Sequence, residues 1–222
     1  MNKTILADKI FAIYTKLPHC LILRSRHMKD VRRRFDRDKL KDISVISANC
    51  VGGEICFLLG IGFRSPFVNI SMDRAAFIRM VSRLKEYMEL PLEVHVNETE
   101  SCTGSLQGPD LPAIEIRFPH DADPAKVAEN WERRKKRINY DKLVLIVDDK
   151  GLKEADYRLY DQLPAFRKIC LTAADLSDRY AWAYQMKEYA GAEKTGEYNA
   201  KSKDGLWVFT KTWDYTSWLN GN

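Results

Sequence analysis

"AIEIRFPHDADPAKVAENWERRKKRINYDKLVLIVDD", residues 113–149, changes its periodicity twice, and those changes set the expected fold. Apolar and polar residues alternate through AIEIRF, the period of a half-buried strand. PHDADP is turn chemistry: Pro124 suits a first helical turn, and Asp121 or Asp123 stands where it caps one. From there Val127, Trp131 and Ile138 fall on one helical face. KLVLIVDD is a short, nearly wholly apolar run, the composition of a strand buried on both sides.

The same alternation extends in both directions. ISVISAN (43–49) reads as a β-branched strand, 54–59 as a helix, 67–70 as a strand and SMDRAAFIRMVSRLKEYMEL (71–90) as one helix. Ser71 or Asp73 caps that helix and Pro91 ends it. LEVHV (92–96) is a strand, 97–112 a turn-rich loop, 152–162 a helix, 167–171 a strand and 177–189 a helix. Strands alternating with helices predict an α/β fold of three layers, a parallel or mixed central sheet flanked by helices. The expected organisation is an N-terminal helical segment (1–42) packed on the core, an α/β core (43–190), and a polar linker with an aromatic C-terminal segment (191–222) docking on that core. Within the first segment, apolar spacing predicts a helix over 3–17 closed by Pro18, then a basic helix over 21–41.

At 222 residues, 45% of them hydrophobic and 30% charged, the chain has enough apolar content for one good core and none of the bias of a disordered segment. No secretory start and no apolar run of bilayer length is present, so the expectation is a cytoplasmic protein, with peripheral contact to the inner membrane as an option. Five scattered cysteines without a CxxC, and four dispersed histidines, point to reduced thiols and to no metal site. No motif names a cofactor. Between Arg24 and Lys41 nine basic residues face three acidic ones, a net charge of +6, while the whole chain carries +5. The basic character is therefore one segment, 24–41, which fits a solvated helix or an anionic membrane surface. It lacks interleaved aromatics and any reader motif, which speaks against nucleic acid.

In α/β sheets ligands bind beyond the carboxyl ends of strands. That rule selects Asn49, Cys50, Gly52 and Gly53 after the first strand, Asn69 after the second, His120 after IEIRF, and Asp148 after KLVLIV. Paired glycines between strand and helix let backbone amides approach an anion at the helix N-terminus, and the same field lowers the pKa of Cys50. Glu54 and His120 are candidate general bases, and Cys50 a candidate nucleophile. In WERRKKRIN (131–139) the charged run exceeds one turn, so Arg134 or Lys135 lies beside the apolar stripe; Arg133, Arg134 and Arg137 form either an internal ion pair or a diphosphate clamp. Trp207, Trp213 and Trp218 dock on the core or stack on a sugar.

The order ISVISANCVGGE, SPFVNISMDRAAFIRMVSRLKEYM, IEIRFPHDADPAKVAENWERRKKRINYDKLVLIVDD, LPAFRKICLTA resembles a bacterial domain family of unknown function whose members are often labelled exopolysaccharide or capsule biosynthesis proteins. The family pattern Ser-Asn-Asn-Cys-aromatic-Gly-Gly is matched at Asn49, Cys50, Gly52 and Gly53, and departed from at Ala48 and Val51. Trp131, Arg134, Arg137, Ile138 and Asn139 fit a second family pattern. What the resemblance implies is an α/β protein of surface-glycan synthesis. On that basis the expected activity is transfer from a nucleotide-sugar or sugar-phosphate donor, an anionic small molecule. Asn49, Gly52 and Gly53 would cradle the phosphate, Arg134 and Arg137 would offset its charge, and Glu54 or His120 would act as base. Two alternatives stand beside it: a non-catalytic accessory protein docking on a membrane surface or partner through 24–41, and a Cys50-dependent hydrolase or acyltransferase.

Overall fold

A computed structural model describes residues 18–221 of the chain. The helix expected over 3–17 lies outside the described residues. The described residues form two compact units: one comprises 18–41, Leu58–Gly60 and 196–221, the other Asp42–Phe57 and Ile61–Thr195. Among the described residues no helix is long and apolar enough to cross a membrane.

In the first unit, helix α1 (Pro18–Arg34) opens on Pro18, whose missing N–H is harmless in a first turn, and closes on Arg32, Arg33 and Arg34, which complement the helix dipole. The single basic helix expected over 21–41 is broken at Phe35, and a short α2 (Arg37–Leu40) restarts with Asp36 accepting from the Lys39 amide. The buried face of α1, with Cys20 and Val31, belongs to the unit that also holds the short helices Phe209–Thr212 and Tyr215–Asn220. Polar ties fix that arrangement: His27 Nε2 lies 3.1 Å from the Tyr215 hydroxyl, and Arg34 Nη1 donates to the Asp214 carboxylate at 3.0 Å. The Trp207 ring carries Arg24 and Lys201 at 5.0 and 5.3 Å from its centroid. Trp213 packs on Tyr215 and Trp218.

The second unit is mixed α/β, as the alternation predicts, with its parallel and antiparallel strands in separate sheets. Strands β1 (Ser44–Ser47), β5 (Leu143–Asp148), β6 (Arg167–Thr172) and β7 (Ala183–Gln185) make a parallel sheet in that order. Every residue of β1 and β5 is buried, which is why LVLIV of β5 reads as a continuous apolar run. Strands β2 (Glu93–Val96), β3 (Cys102–Gly108) and β4 (Leu111–Phe118) make an antiparallel meander. On β4, Ile114, Ile116 and Phe118 face the core while Glu115 and Arg117 face out. Helix α6 (Pro124–Lys135), capped by Asp123, therefore leads from one sheet to the other rather than crossing over within one. Its Trp131 packs between Phe67 and Phe118, at centroid distances of 5.6 and 6.3 Å.

Four local expectations change. The loop over 97–112 contains β3, whose CTGSLQG has weak strand propensity but is paired on both edges, with Leu92 packed over Gly104 so closely that an added Cβ would meet it at 2.8 Å. The strand over 67–70 is irregular: Asn69 has φ +57°, and regular pairing is confined to Ser71 against Arg117. The helix over 71–90 breaks at Arg83 into α4 (Arg74–Ser82) and α5 (Leu84–Glu89). The helix over 177–189 is instead a turn and edge strand β7, where Tyr180 and Trp182 stack at 4.5 Å and the Trp182 indole donates to Asp161 at 2.7 Å.

Candidate functional site

Among the described strands, the parallel sheet runs in chain order, β1-β5-β6-β7. Ligand crevices of open α/β sheets form where the strand order reverses direction. That reversal is absent among the described strands, and the carboxyl ends of β1 and β5 are closed by side chains. Asp148, fully buried, accepts from Arg74 Nε at 3.0 Å and Nη2 at 2.7 Å, from Asn49 Nδ2 at 3.3 Å and from the Lys150 amide at 3.1 Å. Asn49, also buried, turns its Oδ1 to the Val51 amide at the start of α3 (Val51–Leu59). Asp149 is likewise engaged: Oδ2 takes the Ala173 amide at 2.7 Å, and Oδ1 takes the amide and hydroxyl of Thr195 at 2.8 Å.

The paired glycines serve packing. The Gly52 amide donates to Ser47 Oγ at 3.0 Å, and a Cβ at Gly52 would stand 2.6 Å from that oxygen. Gly52 lets α3 close on β1, so its N–H is already used. Gly53 is buried beside Val68 and Asn69.

The Cys50 thiol reverses the expectation of a lowered pKa. Burial, with the Glu54 charge adding to it, pushes it up to about 11. Its sulfur lies 3.9 Å from His120 Nε2 and donates to the Ile70 carbonyl at 3.6 Å. A protonated thiol beside an exposed imidazole is a poor nucleophile at neutral pH. Glu54, half-buried in the first turn of α3, is close enough for its charge to act on that thiol.

A second group of polar side chains gathers beside Asn69. A cleft of about 150 Å³ is lined by Asn69, Asp121, Lys126, Asn130, Trp131 and Arg134, with Pro66, Val68, Phe118 and Val127 as its apolar wall. Lys126, Asn130 and Arg134 are spaced by four and so share one face of α6. Arg134 is half-buried, has no carboxylate partner among the described residues, and lies 6.0 Å from the Phe63 ring centroid. Burial and then the Arg133 charge hold its pKa below the usual value, with Arg137 adding and Asp121 opposing. A guanidinium remains charged under such shifts, so the cleft holds a desolvated cation. Trp131 is buried, and its indole N–H has no acceptor among the described residues.

The basic run thus divides its roles. Lys135 takes the internal partners, Glu132 at 2.8 Å and the Leu90 carbonyl at 3.3 Å, while Arg134 faces the cleft. Arg137 is exposed past the helix end and does not line the cleft. Asn69 and Arg134 are brought together, as are Cys50 and His120, and Asn49 and Asp148. The first two pairs adjoin, because Asp121 follows His120 in the chain and Ile70 follows Asn69. The sequence reading omitted Arg74, Lys126 and Asn130; for the last two the four-residue spacing up to Arg134 was the available signal. Among the described residues no cluster of three His, Cys, Asp or Glu side chains could hold a metal ion.

The sequence matches a domain of unknown function, DUF1919, over residues 22–220. It is also 30% identical over 179 residues to an uncharacterized protein of Haemophilus influenzae strain Rd, covering 80% of this chain and 84% of that one. Neither match carries an exopolysaccharide description.

Proposed function

The chain belongs to the DUF1919 family, and we propose that its Arg134 cleft binds the phosphoryl group of a sugar-phosphate or nucleotide-sugar donor in surface-polysaccharide assembly. The observation that carries this reading is an excess of positive charge: the half-buried Arg134 guanidinium, which has no carboxylate partner among the described residues, and the exposed Lys126 ammonium stand against the single carboxylate of Asp121. A desolvated cation beside other cations gains most from an anion, and a guanidinium pairs with phosphate through two parallel hydrogen bonds. At about 150 Å³ the cleft is smaller than the roughly 300–1,000 Å³ of pockets that enclose a whole ligand. It therefore takes the phosphoryl end and leaves the sugar toward the Cys50–His120 rim. The surface-glycan part of the reading rests on the resemblance carried by the segment order.

In a transfer step His120 is the base. The acceptor hydroxyl gives its proton to His120 as its oxygen bonds to the anomeric carbon, and the bond from that carbon to the phosphate oxygen breaks, the phosphate leaving with the electron pair. Arg134 and Lys126 offset the charge that develops on it.

Calorimetric titration with a uridine diphosphate sugar, a hexose 1-phosphate, inorganic phosphate and the free hexose tests the reading. The phosphate-bearing ligands bind and the free hexose does not. Arg134→Ala weakens binding about 10- to 100-fold, the effect of losing hydrogen bonds to a charged group. Arg137→Ala, outside the cleft, changes it by less than about threefold. Equal affinity of Arg134→Ala and the parent, or no binding of any phosphate-bearing ligand, overturns it.

A further inference from the structure

We infer that the outward face of α1 docks on an anionic bilayer surface. Three successive apolar residues near the start of this helix stand in solvent: Leu21 is 51% exposed, Ile22 52% and Leu23 38%. The orientation of the helix is fixed from its other side, where Cys20 and Val31 are buried and His27 meets Tyr215. At 3.6 residues per turn, Ile22, Arg26, Lys29 and Arg33 form one stripe opposite that buried side. All four are exposed. The stripe is apolar at its N-terminal end and cationic for the next three turns.

The cations of this segment are not equivalent. Arg24 lies over Trp207, Arg32 donates to the Leu58 carbonyl, Arg34 pairs with Asp214, and Arg37 donates to the Leu59 carbonyl. Those side chains are committed to their own unit. Arg26 and Lys29 form no ion pair among the described residues, and Arg33 has only a surface pair with Asp30. The charge left over points outward with Leu21 and Ile22. A lipid interface is the partner that uses both kinds of group: aliphatic side chains enter the acyl boundary while cations one to three turns away lie at the headgroup phosphates. A nucleic acid offers phosphates but nothing for Leu21 and Ile22.

The test is co-sedimentation of the full chain with vesicles of phosphatidylcholine alone or mixed with phosphatidylglycerol, at low and physiological salt. Two exposed pairs are changed, Arg26→Glu with Lys29→Glu, and Leu21→Ser with Ile22→Ser, and folding is checked by circular dichroism. The parent partitions onto the phosphatidylglycerol vesicles and is partly released by salt. The charge reversal weakens partitioning by at least about 25-fold, since each surface cation contributes about fivefold. The serine pair weakens it by about tenfold or more. Absence of partitioning at low salt overturns the inference, as does partitioning that neither pair alters. So does a charge-dependent affinity for duplex DNA combined with vesicle binding indifferent to the serine pair, because the face then reads phosphate alone.

Discussion

Arg74 reaches the fully buried Asp148 with two of its nitrogens, the shorter contact being 2.7 Å, and so joins the start of α4 to the end of the central strand β5. Arg74 is itself only 12% exposed, so neither charge is relaxed by water. Removing one member of such a pair strands the other, which costs about 3–5 kcal/mol. Urea denaturation of Arg74→Ala is therefore expected to lose that much stability. Replacing both partners by apolar residues, Arg74→Met with Asp148→Leu, loses less than the single change. A loss below about 1 kcal/mol for Arg74→Ala would mean that solvent already screens the pair.

Gly52 and Ser47 make the second testable contact. An added methyl at Gly52 would stand 2.6 Å from Ser47 Oγ and 3.1 Å from Val45 Cγ1, whereas at Gly53 the nearest atom is Val68 Cγ1 at 3.4 Å. Overpacking at a tight contact costs about 1–3 kcal/mol, while alanine favours a helix over glycine by about 1 kcal/mol. Gly52→Ala is expected to lower the urea midpoint, and Gly53→Ala to leave it level or raise it. If Gly52 instead served ligand approach, its alanine variant would keep its stability and lose phosphate affinity in the calorimetric titration.

These two contacts show where the sequence was legible. The alternation in AIEIRF, the Asp123 cap and the apolar run ending at Asp148 each follow from neighbours a few residues away, and each element formed. Which sheet a strand joins depends on distant partners. One central sheet is expected from the sequence, yet β4 lies in a separate sheet from β5 and pairs with β3, whose glycines and polar residues give no local strand signal. At the site the same division holds. Arg134 was legible because six successive charges cannot all avoid an apolar stripe. The closure of Asp148 was not, since its partner Arg74 lies 74 positions away. Gly52 and Gly53 looked like an anion cradle because Gly-Gly between strand and helix has two uses, close packing and ligand approach. Only the position of Ser47 separates them.

Cys50 gives a kinetic prediction. With its thiol near pKa 11, the thiolate fraction at neutral pH is far below that of a free cysteine, whose pKa is about 8.5. Allowing for the greater nucleophilicity of a more basic thiolate, alkylation at about pH 7.5 should run roughly 15- to 30-fold slower than for a free thiol. The rate should then climb with pH, close to tenfold per unit, up to the region of pH 11. Glu54→Gln removes the second cause of the shift and should speed the reaction severalfold. Residue-resolved mass spectrometry of iodoacetamide labelling reads all three. A free-thiol rate near neutrality restores Cys50 as a nucleophile.

His27 sets an acid limit on the first unit. Burial, with the Arg34 charge adding and Asp30 opposing, lowers its pKa from 6.5. Burial pushes the Tyr215 phenol up, so that hydroxyl keeps its proton and shares a hydrogen bond of 3.1 Å with the neutral imidazole, whose tautomer sets which of the two donates. Because the folded state holds the His27 proton less tightly than the unfolded chain, the unfolded chain gains protons first on acidification. The contribution is fully present above pH 6.5 and is lost as pH falls from there through the lower folded value. His27→Gln keeps a hydrogen-bonding group at this position but does not titrate. Its stability in urea should fall less between about pH 7.5 and about pH 5 than that of the parent. Identical slopes for the two proteins, or a His27 titration midpoint at or above 6.5 by NMR, would contradict the buried neutral imidazole.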